Sequence, residues 1–271
     1  MRMNHQVFHY LHRMQSVLTI LFLFVAVVGI IFFYRSYTTR SPLTQPAIET
    51  ERQILEQNVH FYRALSKDEK ARFEKGVRDF LNSVRITAIK TEIDERDRVF
   101  VAAAAVIPMF GYPGWAYINI HEVLVYPGSF TEEYAIVGET RNVLGMVGGG
   151  AMQNQMILSR EELRNGFLNT SGRSNTAIHE FVHLLDKTDG DADGVPNILF
   201  DHPYAIPWLK RIHAEMQLVL DGRSDINVYG ATNEAEFLAV ASEYFFTQPE
   251  RLSHKHPELY AMLKGAFSGS G

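Results

Sequence analysis

Two histidines and a glutamate lie within five residues of an otherwise apolar stretch, and this pattern constrains the chain more than any other feature. The run is His-Glu-Phe-Val-His, from His179 through Glu180 to His183. Residues four apart lie about 40° apart around a helix, so both imidazoles point the same way, about one turn from each other. Two neutral imidazoles in that arrangement can bind one Zn²⁺ ion. Glu180 projects roughly 100° away, beside a metal rather than on it.

The flanks of this run predict a helix that is buried on most sides. Ser174 or Asn175 can cap its start. The apolar positions cover nearly every other direction: Ala177, Ile178, Phe181, Val182, Leu184 and Leu185. The alternative is a chance match or a pair of satisfied core histidines. Because polar groups in an apolar helix cost free energy unless they are satisfied, the context favours a zinc site in which Glu180 is the general base toward a zinc-bound water.

A catalytic zinc ion needs a third protein ligand and an open position for water. No histidine follows at the short metzincin spacing, since an acidic loop begins directly after Asp186. A glutamate from a later helix is the other common solution, and the predicted helix 233–247 carries Glu236 and Glu243 on one face. We predict Glu236 as the ligand and Glu243 as a carboxylate that orients a ligand histidine. The alternative is that Glu236 only completes a capping box with Asn233.

The composition restricts both the metal ligands and the partners. The chain has no cysteine, so a transition metal must be held by histidines and carboxylates, and disulfides and thiol catalysis are excluded. Its net charge of -5 gives no indication of nucleic-acid binding. An apolar content of 46% with 21% charged residues is typical of a folded globular protein.

Residues 17–34 form an uncharged apolar segment. As a helix it would span about 27 Å, enough to cross the hydrocarbon core of a membrane. A cleaved signal peptide and a buried core helix are the alternatives, but the run is long for a signal segment and no small-x-small cleavage site follows it. We predict an uncleaved, single-pass membrane anchor. The charges on its two flanks leave the side of the membrane open.

The remaining chain is predicted to form an α+β domain at 51–265, with a flank at 1–16, a linker at 35–50 and a tail at 266–271. Capping boxes are expected at Ser66 with Glu69 and at Ser159 with Glu162, and Asp94 is expected to cap a helix. His254 and His256 are predicted to lie at the surface, and the acidic loop after Asp186 is predicted to be solvated rather than to bind calcium. The expected strands are 115–126 and 152–158, and the expected later helices are 174–187, 204–221, 233–247 and 257–267.

The soluble part also resembles the Mlc titration factor A family of zinc metallopeptidases. The resemblance covers about residues 52–265, and its motifs occur in the family's order: 112–115, 123–128, 179–186, 190–196 and 229–246. Several long motifs in one order are far more specific than the histidine pair alone. The apolar segment 17–34 has no counterpart in this resemblance.

The resemblance implies a zincin-like fold with one zinc ion per chain and peptidase activity, mainly aminopeptidase. It implies His179, His183 and Glu236 as zinc ligands and Glu180 as the catalytic base. The family tyrosine matches Tyr229, which would cover the site or donate a hydrogen bond to the oxyanion. From the residues alone, Tyr229 is more simply a core or interface residue.

The expected partners are a peptide or protein substrate and the membrane, without nucleic acid. A different class of function competes with the peptidase. In that alternative the domain is a zinc-stabilised module that sequesters a regulatory protein partner and cleaves nothing. A complete ligand set together with Glu180 favours the peptidase.

Overall fold

The structure is a computed structural model that describes residues 45–128, 145–147, 154–169, 174–200 and 202–269, together with Thr19. Within these residues, no helix combines the length and the apolar character that crossing a membrane requires. The predicted anchor at 17–34 lies outside them except for Thr19, so it stays a prediction.

Helices make up most of the described chain. The helices are α1 Gln45–Asn58, α2 His60–Arg63, α3 Lys67–Ser83, α4 Glu95–Met109, α5 Arg160–Leu168, α6 Thr176–Asp186, α7 His202–Leu220, α8 Glu234–Thr247, α9 Pro249–Lys255 and α10 Pro257–Phe267. A short 3₁₀ turn, Lys187–Asp189, directly follows α6, and another, Val228–Ala231, lies shortly before α8. The capping box predicted at Ser66 and the cap predicted at Asp94 are confirmed. Ser159 caps α5 by accepting the Glu162 backbone N–H.

Among the described residues, four short strands form one sheet in the order β1-β2-β4-β3. The strands are β1 Arg85–Ala88, β2 Glu122–Tyr126, β3 Gly145–Val147 and β4 Gln155–Ser159. The first three in the sheet order are parallel, and β3 pairs antiparallel with β4 at one edge. Val123 is fully buried opposite Ile86 and Met156, so one face of the sheet lies in the core. The mixture of many helices with one small sheet confirms the predicted α+β class.

The core places α6 between other helices. Helix α4 packs against α6, and its residues from Val99 to Ala105 have exposures of 1% or less. On α6, Phe181 contacts the ring of Phe80 edge to face and lies against Tyr117. Helix α8 packs on another side of α6, and its own apolar residues are buried as well. The two helices that carry the predicted site are therefore held in the interior, as their apolar flanks predict.

Two local features differ from the predicted pattern. Helix α1 begins at Gln45, inside the predicted linker 35–50, and Pro46 falls in its first turn, where the missing N–H costs nothing. The strand predicted at 115–126 begins only at Glu122. Its aromatic first half is held by side-chain bonds instead: the Tyr117 hydroxyl donates to the carbonyl of Ala105, and the Asn119 amide donates to that of Leu184.

His256 was also predicted wrongly as a surface residue, since its side chain is buried. Its Nδ1 lies 2.9 Å from a Glu215 oxygen and its Nε2 lies 3.0 Å from an Asp225 oxygen. The hydrogen bond to Glu215 raises the pKa of His256, burial opposes it, and Asp225 adds to the increase. The imidazole is thus an interior ion-pair partner that joins α7 to the start of α10.

Candidate metal centre

Hydrogen bonds at the helix starts fix how α6 and α8 present their side chains. The Asn175 side chain caps α6 by accepting the Ile178 backbone N–H at 3.2 Å. Asn233 does the same for α8, where its Oδ1 accepts the Glu236 backbone N–H at 2.9 Å. Glu243, two turns further along α8, accepts the backbone N–H of Asn175 at 2.8 Å. A polar contact therefore joins the middle of α8 directly to the start of α6.

Three side-chain atoms converge between these helices. The Nε2 atoms of His179 and His183 lie 3.0 Å apart. The Oε2 atom of Glu236 lies 3.0 Å from Nε2 of His179 and 3.3 Å from Nε2 of His183. These residues form a group in which each offers one ligand atom to a common point. The structure thus brings together the three residues that the sequence predicted as ligands.

The spacing of these atoms fits a bound metal ion. An ion held tetrahedrally by imidazole nitrogens and a carboxylate oxygen at about 2.1 Å separates its ligand atoms by about 3.4 Å. The observed separations are 3.0, 3.0 and 3.3 Å. The donor set of two nitrogens and one oxygen suits a transition-metal ion in a protein without cysteine.

Glu243 determines which nitrogen of His179 is free to bind a metal. Its Oε1 lies 2.6 Å from Nδ1 of His179, and a carboxylate can only accept, so Nδ1 carries the hydrogen. In the neutral ring, the lone pair then belongs to Nε2, the atom that faces His183 and Glu236. A carboxylate that holds a metal-binding imidazole in this way is a common feature of histidine metal sites. The predicted orienting role of Glu243 agrees with this contact.

The charges around the site favour a cation at its centre. Burial lowers the pKa of His179, but the hydrogen bonds to Glu236 and Glu243 outweigh it and raise the pKa to about 10. Burial raises the pKa of Glu236, but the bonds to His179 and His183 hold it far below its usual range. Glu236 therefore stays ionised, and the pocket draws positive charge to the point where the ligand atoms meet.

Glu180 lies beside this group and is not one of the three converging residues. It is 7% exposed, and its burial raises the pKa of its carboxyl although the two neighbouring imidazoles lower it. A carboxylate with an elevated pKa, next to a metal, suits a group that accepts a proton near neutral pH. The position agrees with the 100° offset that the helix geometry predicts.

Tyr229 lies beside the site, in the short turn before α8. Its side chain is 53% exposed, and its ring centroid lies 6.1 Å from that of His179. Partial burial and the nearby Glu236 carboxylate raise the pKa of the hydroxyl, so it stays protonated as a donor. Its exposure beside the imidazole does not fit the reading of Tyr229 as a core tyrosine.

Glu236 takes part both in the cap of α8 and in the cluster of candidate ligands, through different atoms. Asn233 does cap the helix, but it does so through the backbone N–H of Glu236. The carboxylate of Glu236 points to the two imidazoles instead of returning to Asn233. The contact of Asp186 with Gly194 beside the site was not predicted. Its signal in the sequence is an aspartate at the end of a predicted helix followed by a glycine in the next loop.

Comparison with known proteins places this site in a family. The model of the glucose-regulated metallo-peptidase M90 family matches residues 34–268. A protein of Enterobacter sp. named Mlc titration factor A is 31% identical over 212 residues, which cover 73% of this chain and 78% of that protein. A protein of the same name from Pectobacterium atrosepticum is 30% identical over 238 residues, which cover 80% of this chain and 86% of its own length.

A protein of Synechocystis sp. whose name assigns no function is 28% identical over 222 residues, covering 78% of this chain. The family match spans α1 to α10, including both helices of the metal centre. The predicted resemblance is therefore confirmed. The chain belongs to the glucose-regulated metallo-peptidase M90 family.

Proposed function

We propose that this protein is a zinc-dependent peptidase of zincin-like architecture, which hydrolyses peptide bonds at the centre formed by His179, His183 and Glu236. The observation that carries the proposal is the convergence of these three ligand atoms beside the buried carboxylate of Glu180. A metal site built only for stability is closed by four protein ligands, whereas three ligands leave a position for water or substrate. The aminopeptidase specificity rests on the family resemblance alone.

The chain's own residues supply the proton transfers of such a reaction. When bound, zinc polarises the scissile carbonyl and lowers the pKa of a coordinated water. Glu180 accepts the proton that the water loses as its oxygen bonds to the carbonyl carbon. Glu180 then gives that proton to the leaving nitrogen, so that breaking the C–N bond releases a neutral amine. Glu243 keeps the hydrogen of His179 on Nδ1 throughout.

In this proposal, Tyr229 assists the reaction by donating a hydrogen bond. Its hydroxyl stays protonated at neutral pH, since burial and Glu236 raise its pKa. A hydroxyl donor beside the metal can stabilise the negative charge that develops on the carbonyl oxygen.

A second candidate function is favoured by the names of the relatives. Several of them are called Mlc titration factor A, a name that describes them as factors that titrate Mlc. By analogy, this domain would bind a regulatory protein partner and its zinc would stabilise the fold. The two functions differ in one measurable respect, because only the peptidase would cleave peptides.

The test is peptide cleavage by the purified full-length protein. A mixture of unmodified peptides is incubated with the enzyme, and mass spectrometry follows the appearance of fragments and shortened N-termini. Cleavage is expected to stop after treatment with a chelator and to return when about one equivalent of Zn²⁺ is added back. Magnesium added to the chelated protein is the control and should restore nothing, since it prefers oxygen ligands. Absence of cleavage by the zinc-loaded protein across the whole mixture would favour the binding module.

A further inference from the structure

A buried contact beside the metal centre joins the end of α6 to the start of α8. Asp186, the last residue of α6, is fully buried, and its two carboxylate oxygens accept the backbone N–H of Gly194 at 2.9 and 3.1 Å. The carbonyl of Gly194 accepts the indole N–H of Trp208 at 2.7 Å. Trp208 is itself fully buried and stacks on Phe200. Both polar groups of the Gly194 backbone are therefore held by interior side chains.

The same glycine lies directly against the first residue of α8. Gly194 has a φ of +75°, a conformation that other residues rarely adopt. A Cβ at this position would lie 2.4 Å from the carbonyl oxygen of Glu234 and 3.0 Å from the backbone nitrogen of Ala235. Only a glycine allows the two backbones to approach this closely. We use the name Gly194 contact for these interactions together. They are the hydrogen bonds of Asp186 and Trp208 to the Gly194 backbone and the packing of Gly194 against the Glu234 backbone.

The Gly194 contact spans the gap between two of the three ligands. His183 lies three residues before Asp186, and Glu236 lies two residues after Glu234. The 3.3 Å between Nε2 of His183 and Oε2 of Glu236 therefore depends on how closely the end of α6 approaches the start of α8. The contact fixes that approach through buried hydrogen bonds and direct backbone packing.

We propose that Asp186 and Gly194 are positioning residues for the metal centre, which hold the carboxylate of Glu236 at the distance from His183 that one metal ion requires. The inference rests on the proposed zinc site. The proposal gives the buried carboxylate of Asp186 a role. In the described part of the chain, its hydrogen bonds come from the Gly194 backbone and not from a cationic side chain. Loosening such a support typically weakens metal binding by about 10–100-fold without removing a ligand.

A pair of glycine substitutions in one loop tests the packing half of the proposal. Gly194→Ala introduces a methyl group against the Glu234 backbone. Gly190→Ala is the matched control, because Gly190 also has a positive φ of +109°, but no described atom lies within 4 Å of its Cβ position. Zinc affinity of the full-length protein is measured by competition with a chromophoric chelator, and thermal unfolding of the chelated protein measures stability. We expect Gly194→Ala to weaken zinc binding by about 10-fold or more and Gly190→Ala to leave it unchanged.

A second pair of variants tests the hydrogen bond and remains informative if Gly194→Ala does not fold. Asp186→Asn keeps an oxygen that can accept the Gly194 N–H, whereas Asp186→Ala removes it. We expect Asp186→Ala to weaken zinc binding by about 10-fold and Asp186→Asn to retain near-normal affinity. Glu74→Ala is the control for loss of a buried carboxylate. Glu74 lies on α3, where it accepts from Arg52 and Tyr62, so its loss should lower stability and leave zinc affinity intact.

The outcomes separate this inference from the proposed function. Wild-type zinc affinity in folded Asp186→Ala overturns the positioning role and leaves the zinc site standing. Equal losses in Gly190→Ala and Gly194→Ala overturn the packing argument, because backbone strain alone would then explain both. A wild-type protein that binds no zinc overturns the proposed function and this inference with it.

Discussion

Replacing Glu180 with glutamine is expected to lower kcat for peptide hydrolysis by about 10²–10⁴-fold, the range for losing a general base. Glutamine keeps the shape and polarity of the side chain but cannot accept a proton. Glu180 is buried beside the proposed zinc ligands and is not one of them, so zinc should remain bound at one ion per chain. The effect should therefore appear in the rate of the chemical step, measured as cleavage at saturating peptide, with zinc content measured on the same sample.

The control for Glu180→Gln is Glu234→Gln. Glu234 lies near the site on α8, where it accepts from His213 at 2.8 Å, a bond that a glutamine oxygen can also accept. This variant should keep its activity. A Glu180→Gln protein that cleaves peptides at the wild-type rate contradicts the assignment of the base, and one that loses its zinc indicates that Glu180 contributes to metal binding instead.

Glu236→Gln is expected to weaken zinc binding sharply and to lower hydrolysis with it, because an anionic ligand becomes a neutral amide. The stability of the chelated protein should change little, since the cap of α8 is made by the Asn233 side chain on the backbone N–H of residue 236. Zinc affinity by chelator competition and cleavage at a fixed zinc concentration measure the two effects. If Glu236 mattered only for capping, glutamine would serve equally well and both quantities would stay near normal.

Two further variants calibrate this result. Glu234 is exposed on a different side of α8. Glu234→Gln should leave zinc affinity and hydrolysis unchanged whether Glu236 is a zinc ligand or only part of the cap. Glu243→Gln should produce an intermediate loss of about 10–100-fold in zinc affinity, because the residue contacts Nδ1 of His179 and does not itself converge on the metal position. Stoichiometric, tightly bound zinc in Glu236→Gln would assign the third ligand elsewhere.

Much of the site could be predicted because helical periodicity is a local property. The four-residue spacing of His179 and His183 and the seven-residue spacing of Glu236 and Glu243 each put two side chains on one helix face. The apolar residues on the other faces imply that both helices are buried, and two buried helices with complementary polar stripes pack with those stripes together. The convergence of the three ligand atoms follows from that pairing.

Features that depend on contacts distant in sequence could not be predicted in this way. His256 stands before a proline in a polar stretch, and its burial depends on Glu215 and Asp225, which lie 41 and 31 residues away. The segment before β2 has the aromatic residues of a strand, but Tyr117 and Asn119 find partners on α4 and α6. In the same way, the need for glycine at position 194 arises from the backbone of Glu234, which the local sequence does not reveal.

The zinc content of the purified full-length protein, measured by inductively coupled plasma mass spectrometry, is the decisive test of the metal centre. We expect one zinc ion per wild-type chain and almost none in His179→Ala or His183→Ala, because two remaining ligands hold zinc poorly. Thermal unfolding of the variants verifies that they are folded. A wild-type protein without zinc, or an unchanged stoichiometry in both folded histidine variants, would contradict the proposed metal centre.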